Sequence, residues 1–351
     1  MHVCVCVCVC RYVPMLSVKL SSLVFCEQIA RRFERLLEQF SCVRQLSLPG
    51  CRLDPPAVVR LCRVLQLNTS LYSLHLGGVR LGDDGAMLLA HALQRNPSLR
   101  VLRLTGNELT GRGCRLLVRA IGRSRAISDL DLSDNRIGNC GCRELGALLS
   151  GQNCPLRALS VCNNGVGAGG ALALFAALRR NSRLVRLDVS RNAVGDESSR
   201  ELAAALIFNR TLRHLTAADC DLTAATCREL ARPLRTNTVL RAVELDRNER
   251  IDDAGVEALA DSLRYNRSLR RLSFNRCGLT GLALGHILAA LRHNNTIRTV
   301  DVRPSDKPPS PSNRQSAAAH DDDGCHGNVT SSPAPELSMI LRANPLLRIL
   351  A

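Results

Sequence analysis

Tryptophan is absent from this 351-residue chain, and aromatics amount to only 3% of it. Any core must therefore be aliphatic. Lysine is almost missing too. Of 47 basic residues only Lys19 and Lys307 are lysine, so the formal charge of +16 is carried by arginine. No stretch reaches the ~20 consecutive apolar residues of a membrane-spanning helix. The 17 cysteines are odd in number and too dilute for a small disulfide-stapled scaffold. Neither G-x-x-x-x-G-K-[ST] nor H-E-x-x-H occurs, and no nucleophile, base and orienting residue group together. These absences lead us to expect no enzymatic activity, no cofactor, no metal and no small-molecule substrate. With 46% hydrophobic and 22% charged residues, the chain is not wholly disordered.

What the sequence does contain is a repeat. The segment LRVLRLTGNELTGRGCRLLVRAIGRSRA from Leu99 and the segment LVRLDVSRNAVGDESSRELAAALIFNRT from Leu184 share one pattern. It is L-x-x-L-x-L-x-x-N-x-L, followed by helically spaced leucines. Units start at Val43, Leu71, Leu99, Ile127, Leu156, Leu184, Leu212, Leu240, Leu269 and Ile297, every 28 or 29 residues. The L-x-L core has period two and predicts a short strand, with Leu102 and Leu104 inward and Arg103 outward. The second half has helical spacing, as at Leu202 and Leu206. One strand and one helix cannot bury both apolar faces alone. Stacked neighbours can, which predicts an α/β solenoid, a horseshoe with parallel strands on the concave face and helices on the convex face. Asparagine at the helix exits (Asn96, Asn181, Asn209, Asn237, Asn266, Asn294 and Asn344) predicts left-handed C-terminal caps.

After the strand, Asn107, Asn135, Asn164, Asn192 and Asn248 share a position with Cys51, Cys220 and Cys277. Repeat equivalence predicts a buried ladder that satisfies loop backbone groups, rather than catalytic or metal-binding thiols. The pattern, the repeat length and this Asn/Cys alternation resemble the ribonuclease-inhibitor-like leucine-rich repeats. That class includes the sensor domains of NOD-like receptors and the Ran GTPase-activating protein. The resemblance covers about residues 43–302 and implies an intracellular protein-binding scaffold.

The ends depart from the repeat. Residues 1–25 open with MHVCVCVCVC and are expected to be low-complexity or disordered, or to lie partly upstream of the true start. Residues 26–42 are expected to form an N-terminal capping helix, with Ile29, Phe33, Leu36, Leu37 and Phe40 on one face. Residues 303–335 are rich in Pro, Ser and Asp and predict a disordered insertion, with His320, Asp321, Asp322, Asp323, Cys325 and His326 as a solvated stretch rather than a metal site. Residues 336–351 resume as a final partial repeat starting at Leu347, and an uncapped last strand suggests self-association. Sequons at Asn68, Asn209, Asn266, Asn294 and Asn328 are read as caps rather than glycan sites. With the unpaired cysteines, they predict a reducing, cytoplasmic location.

The arginines at the second repeat position (Arg44, Arg100, Arg157, Arg213, Arg241, Arg270 and Arg298) predict a column along one flank. The outward strand positions differ. They hold Asp129, Asp131, Asp188, Glu244, Asp246 and Asp301 against Arg103, Arg186, Arg271 and Arg303, a mixed face that is acidic in its middle. That face lacks the contiguous basic groove and stacking aromatics of a nucleic-acid site. A basic or mixed-charge protein partner fits it. Two other readings stand beside the scaffold. One is a GTPase-activating regulator of a Ran-like small GTPase. The other is a structural component of a cilium, flagellum or centrosome, because NERIDDAGVEALADSL and CGLTGLALGHILAALRHN are similar to repeats of some centrosomal leucine-rich proteins.

Overall fold

The computed structural model of the chain describes residues 4–8, 15–25, 27–39, 42–303 and 348–350. The inserted segment expected at 303–335, its acidic stretch and Asn344 lie outside them, apart from Arg303. The chain forms two units, Met1–Asp188 and Val189–Ala351.

In the first unit a strand alternates with a helix. The strands are β1 (Cys4–Cys8), β2 (Met15–Lys19), β3 (Val24–Phe25), β4 (Val43–Ser47), β5 (Arg52–Leu53), β6 (Ser73–His75), β7 (Val101–Arg103), β8 (Asp129–Asp131), β9 (Ala158–Ser160) and β10 (Arg186–Asp188). The helices are α1 (Glu27–Gln39), α2 (Pro55–Leu67), α3 (Gly82–Arg95), α4 (Gly111–Ser124), α5 (Gly138–Ser150) and α6 (Ala168–Leu178). The sheet runs β1-β2-β4-β6-β7-β8-β9-β10, and all its pairs are parallel except the antiparallel β1–β2. β3 and β5 pair separately. Each parallel pair needs a crossover, which the intervening helix provides.

The second unit repeats the plan. It contains α7 (Ser199–Phe208), β11 (His214–Thr216), α8 (Ala224–Thr236), β12 (Ala242–Glu244), α9 (Asp253–Leu263), β13 (Arg271–Ser273), α10 (Gly281–Leu291), β14 (Thr299–Asp301) and β15 (Arg348–Leu350). β11 to β15 pair in order, all parallel. β15 pairs Val300 with Ile349, which moves the start of the last unit one residue earlier than the count to Leu347.

The inward strand residues, such as Leu102, Leu104, Leu130 and Leu132, are 2% exposed or less, as are the helical Leu89, Leu117 and Leu145. Each contributes about 1.5–3 kcal/mol by leaving water. The core is aliphatic apart from two aromatic members, Phe175 and Phe274, which are its largest side chains.

Polar side chains tie neighbouring repeats together. Asn135 donates Nδ2 to the carbonyls of Leu104 (2.9 Å) and Leu132 (2.8 Å), and its Oδ1 accepts from the N–H groups of Asn107 (2.9 Å) and Leu109 (3.0 Å). The equivalent cysteines supply the donor half: Cys51 Sγ reaches the Leu20 carbonyl at 3.4 Å and Cys277 Sγ that of Leu245 at 3.3 Å. The residue before this ladder is left-handed from repeat to repeat, first as Gly50, Gly78 and Gly106, then as residues with side chains such as Asp134, Arg191 and Arg247. Glycine adopts that turn without strain, and the N–H there donates to the next repeat whether it belongs to Gly78 (Thr105 carbonyl, 2.7 Å) or to Arg191 (Ala218 carbonyl, 2.7 Å).

The helix-exit asparagines behave differently from expectation. Asn68, Asn96, Asn209 and Asn237 are extended, with ψ between 119° and 130°, not left-handed. The reason lies in the side chain. Asn96 Oδ1 accepts from the Ser98 and Leu99 N–H groups, while its Nδ2 reaches the Leu65 carbonyl at 2.6 Å in the preceding repeat. The amide bridges two helix ends, which a left-handed backbone would swing out of reach. Where the frame offers Ser124 instead of Asn, the helix does close left-handed, at Arg125 with φ 53°. Helix starts are bridged as well. Asp196 accepts from Thr223 and Thr226 of the next repeat. Burial opposes its ionisation, yet these hydrogen bonds hold the carboxyl below the ordinary aspartate range.

The N-terminal expectation needs correction. Met15–Lys19 and Val24–Phe25 are strands within the stretch expected to be low-complexity or disordered, and β2 pairs with β4. Counting 28 back from Val43 reaches Met15, and Val18 and Leu20 occupy the positions of Leu46 and Leu48, both buried. Ser22 is left-handed, as is Gly50 one frame later. Helix α1 is therefore the second half of an upstream repeat rather than a separate cap. It buries Ala30 and Leu37, and Arg60 of α2 bridges Glu27 (2.9 Å) and Glu34 (3.1 Å) on it.

Burial also sets thiol reactivity. It pushes the Cys62 and Cys142 thiols up to about 12, and those of Cys114 and Cys227 higher still. Thiolate is the reactive form. Of the cysteines from Cys42 to Cys277, Cys140 is the exposed one. Brief treatment of the native protein with iodoacetamide, mapped by peptide mass spectrometry, is expected to modify Cys140 and leave these four intact. Modification of the four at the Cys140 rate would show that the core is open.

Candidate partner-docking face

Outward residues of adjacent strands form rows. In the first unit His75, Arg103, Asp131, Ser160 and Asp188 are in register, as are Ser73, Val101, Asp129, Ala158 and Arg186. Parallel strands stand about 4.8 Å apart, so these side chains meet their neighbours. Asp131 accepts from Ser133 Oγ (2.6 Å) and N–H (3.0 Å) and from Thr105 Oγ1 (3.3 Å). Ser160 Oγ lies 2.8 Å from Ser133 Oγ and 3.3 Å from Asp188 Oδ2, and its single proton serves one or the other, since that of Ser133 is given to Asp131. Two hydroxyls thus stand between the two carboxylates. Arg186 bridges to Asp129 at 3.3 Å across β9. At the other end of the row, burial and then the Arg103 guanidinium push His75 below the ordinary histidine range, against the pull of Asp131.

The second unit uses its acids differently. Glu244 pairs with Arg271 at 2.8 Å. Asp246 lies beyond β12 rather than on it, and it accepts from Ser273 Oγ (2.5 Å) and the Asn275 N–H (2.9 Å). Asp301, expected to point outward for a partner, is 3% exposed. Arg303 covers it through two contacts, at 3.0 and 2.7 Å, and holds its carboxyl below the ordinary range. Arginine two residues on, in a sequence D-x-R, was the readable signal for that cover.

Of the ten residues expected on the face, Arg103, Asp129, Asp131, Arg186 and Asp188 gather in the first unit, and Glu244 and Arg271 meet in the second. Sequence reasoning missed Thr105, Ser133 and Ser160, whose hydroxyls hold Asp131 and Asp188 in place. Their signal was a small hydroxyl residue on an outward strand position or just past the strand. Among the described residues no group of three His, Cys, Asp or Glu could hold a metal ion, and no helix is long and apolar enough to cross a membrane.

Comparison with known proteins places this geometry. The leucine-rich repeat pattern matches residues 67–90, 95–118, 125–146, 180–203 and 236–260. Over 64 residues, 18% of this chain, the sequence is 41% identical to the centrosomal protein of 78 kDa of Mus musculus and of Homo sapiens. The match takes in 8% and 9% of those proteins, so the chain spans less than a tenth of the curated relatives it matches. Among solved structures, it is similar to a chain of a TLR13–ssRNA13 complex at 15% identity and a TM-score of 0.46, covering 77% of this chain and 37% of that one. It is also similar to the tropomodulin C-terminal domain of Caenorhabditis elegans at 18% identity and a TM-score of 0.36, covering 42% and 90%. With leucine-rich repeats found in five places and a parallel strand on one side of each repeat against a helix on the other, the protein is a leucine-rich-repeat-like α/β solenoid.

Proposed function

We propose that the chain is a non-enzymatic scaffold that docks a basic or mixed-charge segment of a protein partner on its strand face. The observation that carries this is the pair of strand-face carboxylates Asp131 and Asp188, the first held by Ser133 and Thr105 and the second contacted by Ser160. Ordered carboxylates of this kind cost little further entropy when a guanidinium or ammonium arrives. The repeat length of 28 or 29 residues, with a full helix per repeat, supports the ribonuclease-inhibitor-like subtype. The free cysteines support a reducing, cytoplasmic setting.

The test is a partner identified by proximity labelling and then titrated in purified form. Reversing Asp131→Arg and Asp188→Arg together should weaken binding at least thirtyfold while leaving the melting temperature within a few degrees. Unchanged affinity would remove this face as the docking site. The 64-residue likeness to a centrosomal protein favours a second reading, a centrosomal role, which imaging of a tagged copy against a centriole marker would test.

A further inference from the structure

Charge in the second unit is sorted by position within the repeat. Four segments carry the chain from a helix end to the next strand: 207–213, 235–241, 264–270 and 292–298. Together they hold nine arginines and no aspartate or glutamate. The loops leaving the strands are mixed, with Asp219, Asp221, Glu249 and Asp252 beside Arg247, Arg250 and Arg276. In these segments Arg213, Arg241, Arg270 and Arg298 stand in consecutive repeats, and the nearby Asp261 pairs with Arg264 rather than with any of the four. Backbone bonds tie them in series: Arg241 N–H to the Arg213 carbonyl (2.8 Å), Arg270 to Arg241 (2.7 Å) and Arg298 to Arg270 (2.8 Å). All four are exposed, and among the described residues their guanidinium groups have no hydrogen-bond or ion-pair partner. Like charges so close repel one another, and a fold gains nothing from holding them there unpaired.

Aromatic rings stand on the same flank. Phe208 ends α7 and is 59% exposed, and Tyr265 follows α9 and is 58% exposed. Arg235 stacks on one face of Tyr265, 4.2 Å from its centroid. These are two of very few large aromatics in the chain, and they lie outside the core.

We propose that this flank of the second unit binds single-stranded nucleic acid, the arginine row tracking phosphates and the two rings stacking on bases. Guanidinium forks match phosphate oxygens in geometry, and stacking on exposed rings is the sequence-tolerant mode by which unpaired bases are held. An acidic peptide would satisfy the arginines but leave the rings without a counterpart. A duplex, its bases already stacked, would not use the rings either. The strand face, with its mixed charge, plays no part in this site.

The test uses the full chain and a fluorescein-labelled 20-nucleotide oligo-uridine, followed by anisotropy from 50 to 200 mM NaCl. Binding on the order of 1 µM is expected at the lowest salt, with a log–log salt slope of about −3 for four phosphates. Arg213→Ser, Arg241→Ser and Arg270→Ser together should weaken binding more than tenfold and bring the slope to about −1. Phe208→Ser with Tyr265→Ser should weaken it about tenfold at an unchanged slope. Circular dichroism melts confirm that both variants fold. Absence of binding at 50 mM salt would overturn the proposal. So would equal competition by poly-glutamate with no effect of the ring variant, which would mark an acidic-peptide site, or equal affinity for a duplex.

Discussion

Replacing Asn135 with alanine is expected to destabilise the first unit by about 3–5 kcal/mol. The estimate follows from what the amide leaves behind. Its Oδ1 serves the buried N–H groups of Asn107 and Leu109, and its Nδ2 serves the Leu104, Leu132 and Ser133 carbonyls. All but the part-buried Ser133 contact are buried, and each orphaned N–H costs about 1–3 kcal/mol. Every buried side-chain nitrogen and oxygen among the described residues has a partner, so the site has no slack to absorb the loss. Cysteine at the same position should recover about 1 kcal/mol, because Cys220 and Cys277 show that a thiol reaches the carbonyl of the previous repeat. Guanidinium titrations should give midpoints in the order wild type, Asn135→Cys, Asn135→Ala, at a constant denaturant slope. An alanine midpoint equal to wild type would show that the ladder is ornamental.

The second large effect is at Gly146, where repeat arithmetic and packing disagree. The equivalent residues on either side are Val118 and Phe175, so matching the frame would suggest a larger residue. Helix propensity also favours replacing a glycine inside a helix, by nearly 1 kcal/mol for alanine. Yet a Cβ added at Gly146 of α5 would lie 2.6 Å from the Ala173 carbonyl oxygen in α6, and a backbone atom cannot rotate away. Gly146→Val is expected to cost about 3 kcal/mol, as forced overpacking does. Gly285 in α10 is the internal control, since nothing lies within 4 Å of the Cβ it lacks. There Gly285→Ala should stabilise by several tenths of a kcal/mol or more. Thermal melts of the two variants should move in opposite directions. If both rise, α5 and α6 sit further apart than described.

Period-two leucines and helically spaced leucines are local signals, which is why the strand–helix units from Val43 onward were legible in the sequence. The upstream repeat was hidden because Met15, Val18 and Leu20 keep the frame while Leu23 replaces its asparagine or cysteine. Only the frame count, or the left-handed Ser22, reveals it. The helix-exit asparagines were found correctly and assigned the wrong mechanism. Sequence shows that Asn is needed there, but not whether backbone or side chain supplies the cap. The outward acids were legible by alternation as residues and not by role. Whether a carboxylate stands open, like Asp131, or beneath an arginine, like Asp301, depends on a neighbour two residues away whose reach sequence does not record.

The helix-exit amides bear on how this polypeptide can be made. Asn209, Asn266 and Asn294 lie in N-x-[ST] acceptor triplets, and all three are 3% exposed or less. Asn266 directs its nitrogen at the Leu234 carbonyl, 2.6 Å away, and at that of Asn237, 3.2 Å away. A sugar attached to that nitrogen would remove a hydrogen and fill the gap between two stacked modules. Oligosaccharide transfer onto the nascent chain and closure of the stack exclude each other, so a route through a glycosylating lumen would yield a product unable to complete its own architecture.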